Sequence, residues 1–215
     1  MIVLFDLNGT LTDPGSIGEP WGRRDMGAAV LRRAVETAMV DVVLGQFHPF
    51  SEHIRGAVEI YVDQHDLDSA GIGAALERAK QLRPFPGVPQ GLGELAAAGH
   101  RLAVLTNSGA DAGRATLEAA DLAGRFDEIL GVDAVRVFKP HRRVYEYALD
   151  KLGTPADDVV MVAAHAWDLA GANHAGLRTA WIARGAKVFP SLWPAPDLVA
   201  PELPELARAL NQYAP

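Results

Sequence analysis

The stretch VLFDLNGTLTD, residues 3–13, puts a carboxylate, Asp6, at the end of an apolar run, with Asn8 two positions on and the pair Gly9-Thr10 behind it. A short apolar run closed by polar, glycine-containing sequence reads as a buried strand over 2–5. The same pattern returns at 102–105, 159–162 and 179–182. Helical patterns follow most of these runs: 111–120, 142–152 stopping at Gly153, and 167–175 stopping at Gly176, where glycine suits a left-handed cap. Strand-helix alternation predicts a parallel sheet covered by helices. The fold class is therefore α/β, a Rossmann-like doubly wound sheet.

Between the first two core strands the alternation breaks. Helical periodicity at 26–44, 51–65 and 69–82 runs without a strong strand, flanked by DPGSIGEPWG (13–22) and RPFPGVPQG (83–91). This predicts a core of residues 1–14 and 87–215 with a helical cap, 15–86, inserted after the first strand. FPSLWPAP, 189–196, reads as an irregular surface loop.

Composition narrows the function. With 215 residues, 49% of them apolar, the chain can bury a core and fold alone. The absence of cysteine removes disulfides, thiolate metal sites and cysteine nucleophiles. A net charge of −7 argues against generic nucleic-acid binding, and the Arg pairs at 23–24, 32–33 and 142–143 lie in separate segments. Neither a long apolar span nor a basic leader precedes the first strand, so the expectation is a cytoplasmic protein without membrane contact.

In open α/β sheets ligands collect at the carboxyl ends of strands, where helix N-termini offer free N–H groups. Asp6, Thr106 with Asn107, Lys139, and the loop ending at Asp168 are thus candidates for one pocket. An Asp near Lys139 and backbone N–H groups stays ionised, and an ionised, partly desolvated carboxylate is a usable nucleophile. Each residue alone has an ordinary role: Asp6 as a turn former, Thr106 and Asn107 as a helix cap, Lys139 as a solvated loop lysine. His165 is either a satisfied loop histidine or a base or water-orienting group beside Asp168. Trp167 is expected to pack. His48, His53, His65, His100, His141 and His174 show no ligand-like clustering with carboxylates along the chain.

Taken together, DLNGT, LTNSG, FKPHRRVY and MVAAHAWDLAGA resemble the four conserved segments of the haloacid dehalogenase superfamily, over nearly the whole chain. The resemblance implies that Asp6 forms a covalent aspartyl intermediate that water then opens. Most members are magnesium-dependent phosphatases with a second aspartate two residues after the nucleophile, where Asn8 has no proton to give. They also carry a metal-binding carboxylate four before Asp168, where this chain has Ala164, and Asp6 with Asp168 makes a poor hard-cation cage. The 2-haloacid dehalogenase branch needs neither group, because halide departs without protonation. AAHAWD and KPHRRVY are similar to segments of that branch, although Asn8, Ala163 and His165 stand where aromatic, Ser and Asn residues are frequent.

For this branch the resemblance implies that Thr10 positions Asp6, and that Thr106 with backbone N–H groups holds the substrate carboxylate. Asn107 receives halide, Lys139 neutralises charge around Asp6, and Tyr145 and Asp168 support Lys139 and the hydrolytic water. Asn8 and His165 border the substrate, and a cap arginine, named here as Arg32, takes halide or carboxylate. The expected activity is hydrolysis of short 2-haloacids with no metal and no other cofactor. The alternatives are a phosphatase with an atypical metal site, or a lapsed enzyme that binds small anions. The partner is a short organic acid, and AMVDVVLGQF, 38–47, offers either a core face or a homodimer contact, related dehalogenases often being dimers.

Overall fold

The computed structural model describes residues 1–185 and 188–213. In chain order the elements are β1 (Ile2–Phe5), β2 (Thr12–Asp13), α1 (Arg24–Leu44), α2 (Phe50–Gln64), α3 (Ile72–Arg78), β3 (Arg83–Pro84), α4 (Val88–Ala97), β4 (Arg101–Thr106) and α5 (Ala110–Ala119). There follow β5 (Glu128–Gly131), α6 (Arg142–Leu152), β6 (Val159–Ala163), α7 (Ala166–His174), β7 (Arg178–Ile182), β8 (Leu198–Ala200) and α8 (Leu203–Gln212). Six strands form one parallel sheet in the order β5-β4-β1-β6-β7-β8.

Strand β1 is apolar throughout because both its faces are covered. Ile2 and Leu4 face a core built with α6, α7 and the helices of the insertion, while Val3 and Phe5 face one built with α4, α5 and α8. Its neighbours are β4 on one side and β6 on the other, so the chain reverses its winding direction here. Loops diverge at such a switch point and leave a crevice beyond the strand ends. Asp6 is the first residue past β1 and enters that crevice.

The insertion is a helix hairpin with a short third helix. Met26, Val30, Leu31, Ala34, Val35 and Ala38 make the buried face of α1, at helical spacing, and meet Phe50, Ile54, Ala57, Val58 and Val62 of α2. Each such aliphatic side chain contributes about 1.5–3 kcal/mol when fully buried. β2 and β3 pair antiparallel, Thr12 with Pro84 and Asp13 with Arg83, so the chain leaves and re-enters side by side. In the 38–47 segment Ala38 and Asp41 are buried, whereas Val40, Val43 and Leu44 face solvent.

Several elements differ from the sequence reading. The stretch 69–82 divides into a 3-10 turn, Ser69–Gly71, and α3, because the Asp68 side chain caps the turn and Trp21 packs on Gly71. Strands β5 and β8 and helices α4 and α8 were not expected. β5 opens on exposed Glu128 and β8 has only three residues, so neither shows a clear apolar run. Helix α4 starts within the Pro-rich boundary, where Pro89 fits the first helical turn. Among the described residues no helix is long and apolar enough to cross a membrane.

Candidate active site

The turn after β1 is wound tightly: the N–H groups of Thr10, Leu11 and Thr12 all donate to the Leu7 carbonyl, at 3.2, 2.8 and 3.1 Å. Gly9 sits in this turn at φ +84, and a Cβ there would lie 2.8 Å from His165 Cε1 and 3.0 Å from the Leu31 side chain. Glycine is required both by backbone conformation and by space. The turn brings Thr10 back over Asp6, so that its hydroxyl donates to Asp6 Oδ2 at 2.6 Å and accepts the Ala164 N–H at 3.0 Å. The loops after β1 and β6 are thereby tied together.

Lys139 lies in the loop before α6 and is fully buried. Its Nζ donates to Asp6 Oδ1 at 2.8 Å, Asp168 Oδ2 at 2.7 Å and the Leu105 carbonyl at 2.9 Å, which uses all three ammonium protons. Its backbone N–H donates to Asn107 Oδ1 at 2.9 Å. Behind it, the Tyr145 hydroxyl donates to Asp168 Oδ1 at 2.6 Å. His165 Nδ1 lies 3.0 Å from Asp6 Oδ2. An ionised carboxylate only accepts, so Nδ1 carries the proton and donates.

The balance of burial against charge decides which groups are ionised. Burial raises the Asp6 carboxyl, but Lys139 and then His165 outweigh it and hold Asp6 far below the usual carboxylate range. Burial pulls Lys139 down, yet Asp168 and Asp6 reverse this and leave it above an ordinary lysine. Burial raises Asp168, opposed by Lys139 and reinforced by the Asp6 charge, so it is the less acidic carboxyl of the two. Burial and the Asp168 charge push the Tyr145 phenol well up, which keeps it a donor.

The hydrogen bonds also distinguish the two Asp6 oxygens. Oδ2 accepts from Thr10 and His165, while Oδ1 accepts only from Lys139. Each oxygen has two lone-pair sites, so the free one belongs to Oδ1.

Asp6 lines a niche of about 10 Å³ whose walls include Asn8, Leu31, Thr106, Asn107, His165 and Trp167. A larger cavity of about 780 Å³ does not touch Asp6 but shares Asn8, Leu31, Phe50 and Asn107 with the niche. Ile17, Phe47, Ile54, Ile72 and Leu76 make much of its wall apolar. At the junction, Asn107 Nδ2 is a buried donor with no hydrogen-bond partner. Asn8 Oδ1 accepts from Thr12 Oγ1 at 3.1 Å, leaving its NH2 as the group free for a ligand.

The structure brings Asp6, Asn8, Thr10, Thr106, Asn107, Lys139, Tyr145, His165 and Asp168 into one cluster. Arg32 is not among them: it is exposed on the outer side of α1, in a groove with Arg33, Tyr61 and His65. One residue along a helix turns the side chain by about 100°, and it is Leu31 that faces the niche. Tyr145 lines neither cavity and touches Asp168 instead of a ligand. Asp168 is likewise fully buried behind Lys139 and lines neither cavity, its Oδ2 accepting from the lysine ammonium. Trp167 packs against the core as expected and also borders the niche, stacking on His165 at 5.4 Å and lying beneath Lys139 Nζ at 5.9 Å. His48 and His53 do cluster with a carboxylate, Asp41.

The donor set does not suit a hard divalent cation. The Lys139 ammonium already bridges both carboxylates, position 164 has no side-chain oxygen, and Asn8 Oδ1 is engaged.

A family model described as haloacid dehalogenase-like hydrolase matches residues 1–176. The chain is 32% identical to an (S)-2-haloacid dehalogenase of Pseudomonas sp. (strain YL), over 91% of this chain and 88% of that one. It is 28% identical to haloacetate dehalogenase H-2 of Moraxella sp. (strain B), over 97% and 96%. A solved L-2-haloacid dehalogenase from Xanthobacter autotrophicus, with chloropropionic acid covalently bound, superposes with a TM-score of 0.90 over all of both chains at 26% identity.

Proposed function

This chain belongs to the haloacid dehalogenase-like hydrolases, and from that membership we propose that it hydrolyses short 2-haloacids through an Asp6 ester, without a metal ion. The observation that carries the reading is a buried, ionised carboxylate with a single free lone pair, beside an unpartnered amide donor.

In the first step the free lone pair on Asp6 Oδ1 attacks C2 of the acid from the side opposite the halogen. The new C–O bond forms as the carbon–halogen bond breaks, and the halide leaves with its electron pair toward Asn107 Nδ2. Lys139, 2.8 Å from Oδ1, keeps the carboxylate ionised until that moment. In the second step water attacks Asp6 Cγ and gives a proton to His165 Nε2, the nitrogen left unprotonated by the Nδ1 bond to Asp6. The Cγ–Oδ1 bond then breaks, the alkoxide takes that proton to become the 2-hydroxyacid, and Asp6 ionises again with loss of the second proton. Thr106 and the N–H groups at the start of α5 are our candidates for holding the substrate carboxylate, since no arginine lines the niche among the described residues.

We assign residues 15–86 as a cap on a core of 1–14 and 87–215. The β2–β3 pairing, which gathers both connections at one point, and the cavity between the insertion and the sheet support this division.

The test is halide release from both 2-chloropropionate enantiomers and chloroacetate in EDTA. Chelator-resistant release that disappears in Asp6→Asn supports the proposal. Phosphate release from phosphoesters only with Mg²⁺ would replace it by the phosphatase reading. Silence in both assays, with small carboxylates raising Tm, would assign a lapsed enzyme.

A further inference from the structure

A second constellation lies away from Asp6. Asp41, in the last turns of α1, is buried although it carries a carboxylate. His48 Nδ1 lies 2.9 Å from Asp41 Oδ2, and His53 Nε2 lies 3.2 Å from the same oxygen. All three ligand atoms fall within 4.8 Å of one another.

Protons decide what this arrangement lacks. The Thr37 hydroxyl donates its one hydrogen to the Ala34 carbonyl at 3.0 Å, so toward His53 Nδ1, 2.9 Å away, it accepts and Nδ1 donates. In neutral His53 the lone pair then falls on Nε2, facing the Asp41 carboxylate. The His53 side chain is only 8% exposed, and Nε2 has no hydrogen-bond partner. Two acceptors held face to face in a buried place call for a positive charge between them, a proton or a metal ion, while Asp41 Oδ2 also accepts the His48 backbone N–H at 2.9 Å.

We infer that Asp41, His48 and His53 form a binding site for a divalent transition metal, with Zn²⁺ the best fit. Two imidazoles and a carboxylate are a zinc donor set, and ligands about 2.0–2.1 Å from a tetrahedral ion stand roughly 3.3 Å apart. The observed separations of 2.9 and 3.2 Å need widen only slightly. The Thr37–His53 bond is the kind of outer contact that fixes tautomer and ring orientation in such sites. His48 is 54% exposed, which gives the ion an entry path and room for water as a fourth ligand. The ion would pin the turn between α1 and α2. The His53 ring stands edge-on to Phe138 at 5.3 Å, directly before Lys139, so the pinned turn abuts the catalytic loop.

The experiment is calorimetric titration of the EDTA-treated protein with ZnCl2, with metal content measured after gel filtration, and a Co²⁺ titration for the visible absorption of a tetrahedral site. One equivalent per chain is expected, with Asp41→Asn and His48→Ala each weakening binding by at least about tenfold and His65→Ala leaving it unchanged. His53→Ala removes a buried ring, so the exposed His48 is the decisive variant and thermal unfolding checks that it folds. Absence of binding at micromolar Zn²⁺, or equal affinity in wild type, Asp41→Asn and His48→Ala, would overturn the site.

Discussion

Replacing Lys139 by methionine keeps the length of the side chain and deletes its charge. Asp6 and Asp168, which share that ammonium at 2.8 and 2.7 Å, are then left buried without a cation. Removing one partner of a buried ion pair costs about 3–5 kcal/mol, which in a chain of this size lowers Tm by about 6–20 °C. The pH dependence carries the more specific signature. In the wild type Asp6 is depressed below its unfolded value, so its stabilisation is present above the unfolded carboxylate pKa, about 3.9, and is lost as pH falls below it. In Lys139→Met the carboxylates repel and are desolvated, so the folded state takes up a proton at higher pH than the unfolded chain. The variant should therefore regain stability on acidification, by up to about 1.4 kcal/mol per pH unit below the raised pKa. Asp168, already raised by burial against the pull of Lys139, loses that pull in the variant and rises further, which adds to the same trend. Urea unfolding at about pH 5.5, 6.5 and 7.5 reads this as a gap between the two proteins that narrows toward acid. A gap that is absent, or constant with pH, would refute the account of Lys139 as the charge that keeps Asp6 ionised.

His165→Gln leaves Asp6 ionised through Lys139 but removes the acceptor for the hydrolytic water's proton, so kcat for steady-state halide release should fall by about 10²-fold or more, with KM falling alongside it as the Asp6 ester accumulates; an unaltered kcat would return His165 to a supporting role. Gly9→Ala meets both a positive φ and the His165 ring, and calorimetry should show a loss of about 1–3 kcal/mol; an unchanged Tm would mean that the turn yields at no cost. Arg32→Ala, on the outer face of α1, should leave halide release within about twofold of wild type, and a loss beyond tenfold would bring that arginine back into the site.

The central sheet was legible because its core strands are short runs in which nearly every residue is apolar, as in IVLF and VVMVA. Strands β5 and β8 carry no such mark: Glu128 and Val199 face solvent, and three or four residues hold too little pattern. Asp6, Asn107 and Asp168 were found because each sits at or near the carboxyl end of a legible strand, where position in sequence predicts position in space; Lys139, which follows the unmarked β5, was reached through the likeness of FKPHRRVY to the family's lysine segment. The expected cap arginine, Arg32, falls outside the cluster for the opposite reason. On α1, choosing Arg32 over Leu31 is a step of one residue, which turns the side chain from the niche to solvent. The Asp41 cluster escaped because His48 and His53 return to Asp41 across the turn into α2, and no spacing along one helix encodes that meeting.

The Lys139 bridge has a consequence for supply. A cation delivered from solution loads a site according to its concentration, competes with other ions, and can be stripped by any stronger chelator. The ammonium of Lys139 is part of the chain, so every correctly folded molecule holds it in one-to-one ratio, with no loading equilibrium to satisfy. The same tether removes a control: withholding an ion cannot take this charge away from Asp6 and Asp168.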